Sequence, residues 1–299
     1  MTPPAKITLL VISLVWITAC DFDTRESLIG GGFGTGKKIN DQREGLWELF
    51  YSDSTKMAEG KYQNGLATGL WRFWHPNGKI KEYSVWNEGI ANGKYDAFHE
   101  NGKRAESGTF LSDNREGTWI SWFPNGQKRD SGSYRMSDMT GLWKYWYPNG
   151  RLREQSTFKD SLRAGRCQTW FRTGNPESDG TFAFGVRNGI WKDYYENGKP
   201  LSTTTWIYGT ENGICTTYYE TGVTRMIGNF VEDVANGKFS MFYENGVKQS
   251  EGNYFAGKEN GLFRIFKEDG TFDTEVYFIR GSQVSKTEFE REKGNESQP

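Results

Sequence analysis

Aliphatic side chains, histidine, cysteine and net charge are what this 299-residue sequence has least of. Only 35% of its residues are hydrophobic, while it carries 20 Phe, 15 Tyr, 12 Trp and 37 Gly. Aromatics therefore replace aliphatics as apolar material, and frequent glycine implies many tight turns, which favours an all-β or repeat architecture over helices. A formal net charge of −1 removes the bulk attraction that nucleic-acid binding relies on. The two histidines, His75 and His99, have no carboxylate, cysteine or serine recurring beside them at ligand or triad spacing, so the sequence predicts no enzyme, no metal site and no cofactor. The apolar run ITLLVISLVWI has eleven residues and as a helix spans only ~16 Å, too short to cross a bilayer core.

That run follows MTPPAK and precedes Thr18, Ala19 and Cys20, which predicts a signal peptide over residues 1–19 and export from the cytoplasm. The ending ITAC resembles a bacterial lipobox, and the resemblance implies a lipidated, palmitate-bearing Cys20 at the mature amino terminus. The expected location is the bacterial cell envelope, anchored by lipid and facing the periplasm or cell surface. Asp21 resembles an inner-membrane retention signal, whereas acidic residues in this place also resemble a surface-export signal, so the leaflet stays open. Residues 20–44 read as the lipidated terminus and a flexible linker. Within it Gly31, Gly36 and Lys37 match the spacing of a phosphate-binding loop. Lys38 stands where that motif needs Ser or Thr, and no strand-to-helix pattern surrounds it.

From residue 45 the chain repeats itself. Glycine occupies 45, 69, 93, 117, 141, 165, 189, 213, 237 and 261, a spacing of 24 without insertion. With that glycine as position 0, position 5 is aromatic in every copy, from Phe50 and Trp74 to Phe266, and so is position 17, from Tyr62 and Trp86 to Phe278. Position 2 is aromatic except at Cys167 and Cys215 in copies six and eight, and position 15 is small in all but the last copy. Asn-Gly at positions 8 and 9 predicts a two-residue type I′ hairpin with positive φ at both residues. Pairs across it then sum to 17. This register sets the position 2 ring against the small residue at 15, and the position 17 ring against the glycine at 0, each ring lying over its cross-strand neighbour. The position 5 ring points to the other face.

The expected fold is thus all-β: an elongated, single-ribbon, solenoid-like stack of about ten 24-residue hairpins over residues 45–284, roughly 95 Å long for twenty strands at ~4.8 Å. A polar tail follows at residues 285–299. The pattern resembles the MORN-type repeat in its bacterial variant, the YwqK-like antitoxin repeats. That resemblance implies a non-catalytic scaffold that binds a partner protein, with an antitoxin-like or immunity role.

Cys167 and Cys215, equivalent positions two copies apart, lie too far from each other for a disulfide. His75 and His99 at position 6 substitute for rings. The one uneven feature is a basic rib after the turns of copies two to five: Lys79, Lys81, Lys103, Arg104, Lys128, Arg129, Arg151 and Arg153 at positions 10 to 12, followed at 13 by Glu82, Glu106, Asp130 and Glu154. It reads as a ladder of surface ion pairs, or as a rib facing an acidic partner protein or anionic head groups, with positions 10 and 12 on a face that 13 does not share. Exposed aromatic rows would instead suit a glycan or the cell wall.

Overall fold

The structure, a computed structural model, describes residues 24–296. The expected signal peptide, Cys20 and Asp21 lie outside the described residues. The described residues form 25 strands and one helix, and the strands pair antiparallel with their sequence neighbours. It divides into two compact units, one reaching Gly141 and including Pro148–Gly150, the other holding Leu142–Tyr147 and everything from Arg151 onward.

The first unit shows the repeat most plainly. Strand β1 (Thr24–Ser27) pairs with β2 (Phe33–Ile39), then follow β3 (Gln42–Phe50), β4 (Lys56–Gln63) and β5 (Leu66–Trp74). Residues 24–39 are therefore strands in place of the expected linker. They form a partial copy in which Gly36 stands at position 15. Its presumptive phosphate loop is consumed in β2, with a further strand after it in place of a helix. At the other end Lys286–Glu296 forms helix α1 in place of a structureless tail, and Phe289 sets its ring 5.3 Å from Tyr277.

The register summing to 17 holds for positions 0 to 4: Gly45 faces Tyr62 and Trp47 faces Gly60, as Gly69 faces Trp86 and Trp71 faces Ser84. Beyond position 4 it slips by one, because Asn-Gly does not make a two-residue turn. In copy two the His75 N–H donates to the Lys79 carbonyl over 2.8 Å and the Gly78 N–H to the His75 carbonyl over 2.9 Å. Only Gly78 has positive φ. This is a type I turn closed by a glycine bulge. Pro76 presets φ for its first central residue, and the Asn77 side chain accepts the Lys79 N–H. The two-residue type I′ turn lies at the other end of the unit, where Asn64 and Gly65 both have positive φ between paired Gln63 and Leu66.

The glycines at positions 0 and 15 serve different needs. Gly69 has φ +68° and open space around it, so its bulge requires a conformation that side chains resist. Gly60 is in ordinary strand geometry, but a Cβ there would overlap the Trp71 indole. The position 2 ring therefore lies over position 15 of the preceding copy, whereas the sequence placed it over its own hairpin partner. The bulge at position 0 tilts the strand, and the Trp71 Nε1–H donates to the Lys61 carbonyl beside it, as Trp47 does to Lys37 and Trp191 to Thr181. The same overlap holds for Gly36 with Trp47, Gly108 with Trp119, Gly180 with Trp191, Gly228 with Phe239 and Gly252 with Phe263. Where position 2 is Tyr95, Cys167 or Cys215, the residue eleven earlier is Ser84, Ser156 or Thr204.

One sheet face is therefore the core. Trp47, Trp71, Trp119, Trp143 and Trp191 are buried on it, with position 17 rings edge-on between them. Tyr62 stands 6.1 Å from Trp47 and 5.0 Å from Trp71, and Phe110 stands 5.3 Å from Tyr95 and 5.0 Å from Trp119. Position 5 rings take the other face, where Phe98 meets Tyr83.

Candidate functional site

Position 6 stitches successive copies. Tyr51, Tyr147, Tyr195, Tyr219 and Tyr243 each donate their hydroxyl to the position 5 carbonyl of the next copy, over 2.7–3.0 Å. The His75 and His99 Nε2–H groups do the same to Phe98 and Trp122. The histidines are thus structural donors in a tyrosine row. Asn77, Asn101 and Asn125 add a parallel row, each side-chain amide donating to the position 7 carbonyl of the following copy.

The basic rib separates into parts. At position 10, Lys79 and Lys103 donate to the Asn101 and Asn125 carbonyls at 3.2 and 2.7 Å, and Arg151 donates to the Arg172 carbonyl. At position 11, Arg104 pairs with Asp96 at 3.5 Å and lies over the Trp122 ring, and Lys128 is exposed. At position 12, Lys81 is exposed and Arg153 lies over Tyr145. Arg129 bonds both Ser121 and Asp130. The slip near the turn puts positions 12 and 13 within reach of each other, so the expected separation of rib from acids does not hold. The acids serve the core face.

There the structure assembles a constellation that sequence reasoning missed. Arginines at position 22 lie flat on the position 2 indole four residues on: Arg43 over Trp47 at 4.6 Å, and Arg115 over Trp119 and Arg187 over Trp191 at 4.1 Å. Each also holds a carboxylate: Arg43 with Glu26, Arg115 with Glu106 and Arg187 with Asp193. A fourth, Arg163, holds Glu154 at 2.8 Å. Burial pushes the Glu26 carboxyl up, but the ammonium of Lys38 and guanidinium of Arg43 outweigh it and hold it below its usual range. The copy of Glu82 has Ala91 at position 22 where those of Glu106 and Glu154 have arginine, and burial raises the Glu82 carboxyl against the opposing Ser84 hydrogen bond and Lys81 charge. The clue in sequence was arginine recurring at position 22, in too few copies to stand out.

Copies five to seven line an open cavity of about 360 Å³ on this face of the second unit. Both Arg163–Glu154 and Arg187–Asp193 line it, with Glu177, Phe182, Trp191 and Cys167. Ser156 donates to Glu154 and contacts the Cys167 sulfur at 3.0 Å. Cys167 and Cys215 are both free and buried, and burial raises both thiols. No group of three or more His, Cys, Asp or Glu placed to hold a metal occurs among the described residues.

A second surface lies at the type I′ turns of the same unit. Phe184 and Tyr208 occupy the first turn position of successive copies at φ 51° and 46°, with rings 6.5 Å apart and exposures of 79% and 64%. Leu162, Val186 and Ile207 are exposed beside these turns in sequence. The rows at positions 5 and 6 are by contrast half-buried nearly throughout.

Five segments, residues 67–87, 115–135, 139–160, 187–208 and 235–255, match the family described as MORN repeat variant. Their starts differ by 48, 24, 48 and 48 residues, so all share one phase of the 24-residue period, and the copies beginning at Gly165 and Gly213, with their cysteines, fall between them. These matches support a MORN-type repeat protein. No curated protein matches the chain. Among solved structures, a chain in the crystal structure of TcdB2-TccC3-Cdc42 is 9% identical, with a TM-score of 0.18 over 86% of this chain. The alignment covers 18% of that chain's length.

Proposed function

We propose that the protein is a non-catalytic repeat scaffold, tethered to the cell envelope through lipid on Cys20, that binds a partner protein along its repeat edge. The observation that carries this reading is the Phe184–Tyr208 pair. Two large rings hold left-handed backbone, at about 1 kcal/mol each, while leaving most of their surface in water. Other copies share this turn backbone with other residues; what sets this pair apart is its exposed ring surface, which an aromatic-centred interface would desolvate. The exposed head of Lys81 in the basic rib is a separate candidate contact for an acidic partner.

The YwqK-like resemblance extends the proposal to an antitoxin-like or immunity role. A glycan reading needs freely accessible rows at positions 5 and 6, and the position 6 hydroxyls are committed to backbone carbonyls. The test is a pull-down from envelope extract with a form lacking residues 1–20, beside F184S/Y208S and the charge reversal Lys81→Glu. A protein captured by the parent and lost with F184S/Y208S supports the scaffold. Capture of purified peptidoglycan or polysaccharide without any protein overturns it. Mass spectrometry of the amino terminus, with Cys20→Ala as control, checks the acyl chain separately.

A further inference from the structure

Entering copies one, four and seven, an arginine at position 22 of the preceding copy is floored by the position 2 indole: Arg43 by Trp47, Arg115 by Trp119, Arg187 by Trp191. Entering copy six the corresponding arginine is Arg163, and the residue four positions on is Cys167. Its guanidinium lies no nearer than 5.6 Å to the Phe158 and Phe182 ring centres. The ring ladder breaks at the same point. Tyr62 and Phe110 each stand between two position 2 rings, whereas Phe182 has Trp191 at 4.9 Å on one side and Cys167 in the equivalent place on the other. The 360 Å³ cavity opens where that indole is absent, lined by the arginine face, the phenyl edge and the thiol that a ring would cover.

Charge fixes the second half of the ligand. Three carboxylates, Glu154, Glu177 and Asp193, line the cavity against two guanidiniums, Arg163 and Arg187. Arg163 is engaged by Glu154 and Arg187 by Asp193, and among the described residues no cation pairs with Glu177. The cavity lining therefore holds one more carboxylate than guanidinium, beside a seat for an electron-rich ring.

We propose that this cavity binds an arylalkylamine: an indole or phenol ring stacked on Arg163 and edge-on to Phe182, with the ammonium group of its side chain on Glu177. The site is independent of the turn-edge surface, and its size is at the lower end of small-molecule pockets. Ring stacking on the guanidinium and pairing with a partly shielded carboxylate are each worth enough to separate the two halves of the ligand experimentally.

Calorimetric titration of the intact chain with tryptamine, indole-3-acetate, indole and ethylammonium tests this. Tryptamine is expected to bind saturably at one site, indole-3-acetate at least tenfold more weakly, and ethylammonium without saturation. Glu177→Gln should lower tryptamine affinity to that of indole. S156G/C167W, which restores the chain's own ring and the glycine beneath it, should abolish binding. Absence of saturable tryptamine binding, equal affinity for indole-3-acetate, or binding retained in S156G/C167W overturns the proposal. If S156G/C167W does not fold by circular dichroism, the four probes on the parent chain still decide.

Discussion

Copies one and six use the same backbone to different ends. In copy one, Trp47 sits over Gly36, bonds the Lys37 carbonyl and floors Arg43, filling the place that is open in copy six. In copy six, Cys167 and Ser156 replace ring and glycine together, the arginine loses its floor, and a cavity appears. Position 2 of one copy and position 15 of the copy before are thus one packing unit spanning two hairpins. This coupling explains how 24-residue hairpins with few aliphatics hold together, since the seat of each position 2 ring is also an inter-repeat contact.

The largest expected effect tests the closed version. Gly60→Ala forces a Cβ into the Trp71 indole and should destabilise by about 3 kcal/mol in denaturant unfolding. Gly69→Ala strains only φ and should cost about 1–2 kcal/mol. If the two substitutions cost the same, sterics and backbone conformation have not been correctly separated.

Charges on the ring face give the next contrast. Glu106→Gln removes the partner of Arg115 and should cost about 1–2 kcal/mol at neutral pH. Glu82 has no arginine, and burial raises its carboxyl, so its ionised form is disfavoured in the fold. A raised pKa contributes stability below the unfolded value that is lost as pH rises through the folded one. Glu82→Gln should therefore stabilise at neutral pH, with the difference closing below the ordinary carboxylate range. Thermal melts across that range read it, and a difference that widens on acidification contradicts the assignment. The smallest effect concerns the position 6 row. Tyr195→Phe should lose about 1 kcal/mol with the Tyr218 carbonyl bond, and Phe171→Tyr should gain somewhat less.

Much of this was legible in the sequence because the period repeats without insertion. The all-β repeat, its register through position 4, the aromatic core face and the structural histidines all follow from spacing. The turn type was misread because Asn-Gly suits two geometries, and Pro76 at the preceding position favours the type I form. The ring's seat was misplaced because pairing within a hairpin gives no information on the direction in which a bulge tilts the side chain. The linker was misread because residues 24–39 form their strands without the aromatic markers of later copies. The arginine sites and the cavity escaped because they arise from departures at single positions, Arg163 and Cys167 among them, that only the contacts between copies bring together.

The most direct measurement is a double-mutant cycle on Ser156 and Cys167. If the ring's seat is the preceding copy's position 15, Cys167→Trp alone is overpacked against Ser156, and adding Ser156→Gly recovers the loss. The coupling energy should then reach about 2 kcal/mol. Additive effects of the two substitutions would contradict the account.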